Sequence, residues 1–213
     1  MTTSLDPATV RLFNLAEQVK GFLDPGEGRR LYDVACQASP SGPCLEIGSY
    51  CGKSAIYIGA ACRRFEATLF SIDHHLGSEE HQPGELYFDA DLFDPFHFRV
   101  DTLRHFRQTL LAANLENTVI PLVTSSTMAA RHWSTPLSLV FIDGGHAYDT
   151  VLNDYSSWYR HILPGGFLIF HDVFPDPDDG GQAPYEVYQK ALSSGQFQPL
   201  PMMGSLGILR RVT

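Results

Sequence analysis

Cys44-Leu45-Glu46-Ile47-Gly48-Ser49-Tyr50-Cys51-Gly52-Lys53-Ser54 is the stretch whose reading decides the fold. Cys44–Ile47 is a short apolar run that ends on a glycine, as a buried strand entering a tight turn does. Lys53–Arg64 follows with the alanine content of a helix, and residues 68–72 form a second apolar run that stops at Asp73. Strand, glycine turn, helix and strand fill about thirty residues, the length of a βαβ unit with a right-handed crossover.

Working outward, residues 10–22 carry Leu12, Leu15, Val19 and Phe22 at helical spacing, and Asp24-Pro25-Gly26 breaks that pattern. Residues 28–38 read as a second helix with Leu31, Val34 and Ala35 inward. Downstream, residues 74–100 are a polar and aromatic insertion. Asp101 is placed to cap a helix that turns Leu103, Phe106, Leu110 and Leu111 inward. Residues 118–123 form a third strand, residues 128–133 a short helix, and Leu137–Ile142 a fourth strand ending at Asp143. Residues 150–162 are a helix stopped by Pro164-Gly165-Gly166. Phe167-Leu168-Ile169-Phe170 is apolar throughout, as a central parallel strand should be, and runs into His171-Asp172. An acidic, proline-rich loop over 174–184, a helix over 185–192 and an antiparallel pair over 196–200 and 206–210 complete the chain. The pattern predicts an α/β fold: a doubly wound, mostly parallel seven-stranded sheet with an antiparallel C-terminal strand pair. It forms one domain over 1–213, with N-terminal helices within 1–38 and a lid-like insertion at 74–100.

Composition agrees with a single folded unit. The 213 residues are 44% hydrophobic and 18% charged, enough to bury a core. A formal charge of -9 repels phosphate backbones, so nucleic acid is not expected as a partner. No apolar run reaches the roughly 20 residues of a membrane helix, and Met1 to Asp6 lacks the pattern of a secretory signal. Cys36, Cys44, Cys51 and Cys62 contain no CxxC pair and read as free thiols of a cytoplasmic protein.

Ligands of open parallel sheets bind at the carboxyl ends of the strands. Glu46 to Gly48, Asp73, Asp143 and His171-Asp172 all fall there. Three cofactors compete for the first turn. A phosphate loop needs a glycine where Ile47 stands, although Gly52-Lys53-Ser54 fits its second half. The dinucleotide fingerprint GxGxxG has the wrong spacing, and Tyr50 would crowd a pyrophosphate. S-adenosylmethionine has no phosphate. Glu46 suits the positive end of its methionine moiety, the helix start with Ser54 its carboxylate, and Asp73 its ribose hydroxyls. The alternative is a helix-capping loop with a stray acid.

The stretch 45–54 resembles the cofactor motif of catechol O-methyltransferase and its relatives. Phe141-Ile142-Asp143-Gly144-Gly145-His146-Ala147-Tyr148, Leu163-Pro164-Gly165-Gly166 and His171-Asp172 resemble a wider group that includes macrolide-sugar O-methyltransferases. The resemblance spans about Gly28 to Val212 and implies a class I S-adenosylmethionine-dependent methyltransferase. It implies cofactor contacts from Glu46, Gly48, Tyr50, Gly52, Ser54, Asp73 and Asp143, with Ser126 at the adenine. For Ser126 a helix cap is the alternative.

Relatives with this layout often hold a divalent ion on an acid after the fourth strand and a residue pair after the fifth, here Asp143, His171 and Asp172. Such an ion, Mg or Mn, would lower the pKa of an acceptor hydroxyl. His171 departs from the carboxylate of the catechol-type enzymes, and a nitrogen ligand favours Mn, Fe, Zn or Ni over Mg. The alternative is that His171 packs at the strand end and Asp172 caps the next turn. His146 falls where the catechol-type relatives carry a catalytic lysine, and its intrinsic pKa suits a general base; an orienting hydrogen bond to Asp143 or Asp172 is the alternative. His74, His75 and His81 read as surface or lid residues.

The expected function is methyl transfer to a hydroxyl oxygen of a small-molecule acceptor. A catalytically silent cofactor-binding module acting through a partner is second, and a nucleotide-dependent oxidoreductase third. The insertion is expected to cover the acceptor pocket, with peripheral packing or a homodimer contact as alternatives.

Overall fold

Cys44–Ile47 (β1) is buried along its whole length because it is paired on both edges. Leu69–Asp73 (β2) lies parallel on one side and Leu137–Ile142 (β6) parallel on the other. The computed structural model describes residues 5–212, so the first four residues of the N-terminal stretch discussed above lie outside it. Val119–Val123 (β5) adds in parallel beyond β2, and Ile162–Phe170 (β7) beyond β6. Leu206–Arg211 (β9) then runs antiparallel to β7, and Phe197–Met203 (β8) closes the edge. The order is β5-β2-β1-β6-β7-β9-β8, the expected seven-stranded sheet. Connections leave β1 toward β2 and β5, then return to β6, so the switch point lies between β1 and β6.

Alternation along the strands divides the core. Leu139, Phe141, Phe167 and Ile169 face one side, against Pro7–Gln18 (α1), Pro25–Ala38 (α2), Lys53–Arg64 (α3) and Leu103–Ala113 (α4). Val140, Ile142, Leu168 and Phe170 face the other, against Ser126–Ala130 (α5), Tyr148–Trp158 (α6) and Ala183–Ser193 (α7), with Trp158 fully buried there. Two buried faces explain why residues 139–142 of β6 and 167–170 of β7 read as unbroken apolar runs.

Several boundaries differ from the sequence reading. The first helix begins at Pro7, because Asp6 accepts the N–H groups of Ala8 and Thr9, and ends at Gln18, which leaves Phe22 exposed in the linker. Asp24-Pro25-Gly26 starts α2: Asp24 is its N-cap and Glu27 completes a capping box. Leu111 is exposed on α4, not inward. Asp101 accepts the N–H of Leu103 as expected. Ser125 caps α5, which therefore spans Ser126–Ala130 and not 128–133. The Pro164-Gly165-Gly166 turn lies inside β7, where the pairing with β6 shifts register. Pro199 and Pro201 are accommodated because β8 is an edge strand.

The insertion is anchored. Phe93–Asp94 (β3) and Arg99–Val100 (β4) pair as a small hairpin, and Leu92 and Val100 pack on Cys51. His75 is not a surface residue: it is buried, with Nδ1 2.8 Å from Thr102 Oγ1. All four cysteines are free thiols. Among the described residues no helix is long and apolar enough to cross a membrane.

Candidate functional site

The site forms where β1 and β6 end side by side. Gly48 has φ +88°, and a Cβ there would overlap the carbonyl oxygen of Asp143. A glycine is thus required for the two strand ends to approach. Asp73, at the end of β2, holds the turn in place. Its Oδ2 accepts the N–H groups of Ser49 and Tyr50 at 2.9 and 2.8 Å, and its Oδ1 accepts that of His75 at 2.7 Å. A carboxylate offers about four lone-pair sites. The turn takes up three of these, which leaves Asp73 part of its accepting capacity for a ligand.

Two cavities flank this turn. The first, about 490 Å³, is lined by Gly48, Tyr50, Asp73, Ser126 and Asp143, all expected at the cofactor. Glu46 and Gly52 do not line it. Glu46 is fully buried beneath the turn, where Ser54 Oγ and Ser71 Oγ donate to its carboxylate at 2.8 and 2.6 Å; burial pushes its pKa up to about 7. The residues expected at opposite ends of a methionine moiety are therefore bonded to each other. Gly52, with φ +92°, precedes α3 and packs on Phe106 and Thr109. Ser126 lines the cavity, but its hydroxyl accepts the Trp158 indole N–H at 2.8 Å and also pairs with Asp154. Asp154, which the sequence reading missed, is a buried acid lining this cavity; burial pushes its pKa up to about 6.

The second cavity, about 360 Å³, is walled by Phe22, Tyr50, Tyr87 and Phe174 and has Ser54, His171 and Asp172 in its lining. Asp143, His146 and His81 line both cavities. His81 is thus a site-lining residue; His74, exposed, lines the first cavity alone.

Where the cavities meet, Asp143, His171 and Asp172 come together, with one ligand atom from each within 4.8 Å of the others. His171 is buried. Its Nδ1 lies 3.0 Å from Asp143 Oδ1 and 3.2 Å from Asp172 Oδ2, and its Nε2 donates to Glu27 Oε2 at 3.0 Å. Burial opposes charge on the ring, but these carboxylates outweigh it and hold His171 as an imidazolium. Asp172, in the left-handed region at φ +56°, directs its carboxylate to His146 and His171, so the turn-capping alternative does not describe it. Glu27 was missed as a site residue. Its signal was the spacing Asp24-Pro25-Gly26-Glu27, which marks a capping box but says nothing of His171.

His146 joins the same cluster. Its Nε2 donates to Asp172 Oδ2 at 2.9 Å and its Nδ1 to Glu80 Oε2 at 3.1 Å. The Asp172 contact, aided by Glu80, pushes its pKa up to about 9. This corrects the expectation of a free base poised near neutral pH: both nitrogens are committed and the ring is cationic.

Comparison with known proteins agrees with this architecture. A family model described as a methyltransferase domain matches residues 45–173, more than half of the chain. An uncharacterized protein, R132, of Acanthamoeba polyphaga mimivirus is 39% identical over 36 residues, 17% of this chain and 16% of the viral one. Solved structures share the fold at low identity. The O-methyltransferase TomG from Streptomyces achromogenes, in complex with SAM, has a TM-score of 0.64 at 17% identity, covering 100% of this chain and 92% of that one. The SAH-bound methyltransferase PaMTH1 of Podospora anserina has 0.68 at 13%, covering 99% and 90%. An O-methyltransferase from Bacillus cereus in complex with SAH has 0.65 at 15%, covering 100% and 94%. The chain belongs to the methyltransferase-domain family.

Proposed function

We propose that this enzyme transfers the methyl group of S-adenosylmethionine to a hydroxyl oxygen of a small, planar acceptor, assisted by a divalent ion on Asp143, Asp172 and His171. One observation carries the reading: the Asp143–His146 segment lines both cavities, so a group in the first would face a group in the second across the ionic cluster. Solved neighbours with SAM or SAH bound support the cofactor, and the aromatic walls of the second cavity support a planar acceptor.

The donor set fits an ion. Glu27 holds the Nε2–H of His171, which directs Nδ1 toward the two aspartates, and a carboxylate behind a ligating histidine is a recurrent arrangement at metal sites. In the metal-free state the Nδ1 proton stands between the two aspartates, so ion and proton compete. When bound, S-adenosylmethionine supplies an electrophilic methyl group and the ion supplies Lewis acidity at the acceptor hydroxyl. Around them the chain orients and manages protons. Asp73 keeps the Gly48 turn shaped and offers its remaining accepting capacity to the ribose. Were Asp172 engaged by the ion, His146 would lose the contact that raises its pKa, release its Nε2 proton to solvent and, as a neutral ring, be able to accept the hydroxyl proton there, which couples the base role to the ion site. The insertion, through Tyr87 and His81, forms a lid over the acceptor.

Calorimetric titration with S-adenosylhomocysteine, NAD and ATP tests the cofactor. S-adenosylhomocysteine alone is expected to bind, and Asp73→Ala to weaken it by about 1.5–3 kcal/mol, the scale of a hydrogen bond to a charged group. Binding of NAD in its place would return the oxidoreductase alternative. A screen of hydroxylated aromatics, with chelator and with manganese, then separates an enzyme from a silent module.

A further inference from the structure

One acid in the first cavity is only half partnered. Asp154 stands on α6, 4% exposed, and lines the cavity beside Thr150 and Asn153. The Ser126 hydroxyl bonds its carboxylate, and no other described residue bonds it or pairs with its charge. No lysine or arginine is among the described residues that line this cavity. The carboxylate is not sealed either. Among the described residues, the buried side-chain atoms left without a partner are His75 Nε2 and His81 Nε2, and neither oxygen of Asp154 is one of them. An oxygen that lacks a partner without being sealed opens on the cavity. The approach is clear as well: a Cβ on Gly144, another lining residue, would come within 3.3 Å of Asp154 Oδ2, and the glycine leaves that space free.

Buried acids are rarely left without partners, because a carboxylate taken out of water must recover its hydrogen bonds. Burial raises the pKa of Asp154 to about 6, so above neutral pH it is ionised and can only accept. The donor it lacks has to come from a ligand. On the cofactor reading, the sulfonium faces the junction with the second cavity and Asp73 meets the ribose. The purine is then left to the part of the lining supplied by Thr124 to Thr127 and by α6. Ser126, expected at the adenine, is already committed to Trp158 and Asp154.

We propose that Asp154 recognises the base of the cofactor: its open oxygen accepts a hydrogen bond from the exocyclic amino group of adenine. Ser126 holds the carboxylate in place and does not itself meet the base. This rests on the methyl-transfer reading above and deepens it. It makes Asp154 a specificity-determining residue, by which the cavity prefers an aminopurine to a purine without the amino group.

The probes are S-adenosylhomocysteine and its 6-deamino analogue, which carries purine in place of adenine, each titrated by calorimetry at pH 8. The parent is expected to favour S-adenosylhomocysteine by about 10–100-fold, the worth of a hydrogen bond to a charged group. Asp154→Asn keeps an acceptor but not the charge, and its preference is expected to fall to about 2–10-fold, the worth of a neutral hydrogen bond. Asp154→Ala is expected to bind the two alike. The ratio is taken within one variant, so a general loss of stability does not alter it. If Asp154→Ala does not fold, the Asn variant carries the test. A parent that binds both probes alike, or a variant that keeps the parent's ratio, would overturn the assignment and leave the methyl-transfer reading standing. Failure of the parent to bind S-adenosylhomocysteine would instead sink that reading and this inference with it.

Discussion

Glu27 Oε2 accepts a hydrogen bond from His171 Nε2 at 3.0 Å, across 144 positions of sequence. The same carboxyl group completes the capping box of α2 and accepts the N–H and Oγ–H of Ser205 before β9, at 2.6 and 2.9 Å. One buried acid therefore joins the start of a helix, the β8–β9 turn and the carboxyl end of β7. Gly204 is required in that turn, because a Cβ there would overlap the Glu27 carboxylate.

This relationship makes Glu27 a determinant of ion affinity. Glu27→Gln keeps the shape but removes the charge that fixes His171. Manganese affinity, followed by electron paramagnetic resonance, is expected to fall about 10–100-fold, as for other partners of ligating histidines. An unchanged affinity together with a lower Tm would show that Glu27 serves the fold alone.

His146 should report on Asp172. The Asp172 contact is the largest cause of its raised pKa, with Glu80 also contributing. In Asp172→Asn, the pKa of His146 read by NMR titration is expected to fall from about 9 toward 6.5. Because the folded pKa lies above the unfolded one, the stability from this group is full below pH 6.5 and is lost as pH rises through about 9. A titration curve that does not move in the variant would separate the two residues.

Glu46 predicts a slope on the acid side. Burial raises its pKa from 4.5 to about 7, so between those values the folded state keeps a proton that the unfolded state has lost. Stability from this group is full below pH 4.5 and declines toward pH 7, by about 3 kcal/mol in all. Urea unfolding of Glu46→Gln, which stays neutral and can keep both serine contacts, should show a flatter pH dependence across this window. Parallel curves for parent and variant would mean that Glu46 titrates normally.

The insertion should respond to ligand. Lys20 pairs with Asp89 and, at 2.8 Å, with Asp91, which fastens residues 74–100 to the α1–α2 linker beside the second cavity. Hydrogen exchange of the amides in 74–100 is expected to slow when S-adenosylhomocysteine and an acceptor bind, and to quicken in Lys20→Ala. Exchange indifferent to both would make the insertion a packing segment and not a lid.

The sequence by itself determined the sheet and the place of the site. Apolar runs of strand length, the alanine-rich Lys53–Arg64 and the glycine after β1 are local signals, and local signals specify which elements form and in what order. Gly48, Asp73, Asp143, His171 and Asp172 were legible because each stands at a strand's carboxyl end, where chain order alone places ligands. Helix starts at Asp6 and Asp24 were less so, since a capping side chain and a loop-forming one have the same composition. Only the tertiary structure decided what each site residue faces. Glu46 bonds Ser54 and Ser71 beneath the turn, Asp73 gives most of its capacity to backbone amides, and His146 is clamped between Asp172 and Glu80. Glu27 and His81 acquire their roles from groups brought together by folding, from α2 and β7 in one case and from the insertion and the β1 turn in the other. The physical reason is that charge state and free hydrogen-bonding capacity depend on neighbours in space, and a residue's pattern along the chain carries no record of partners 144 positions away.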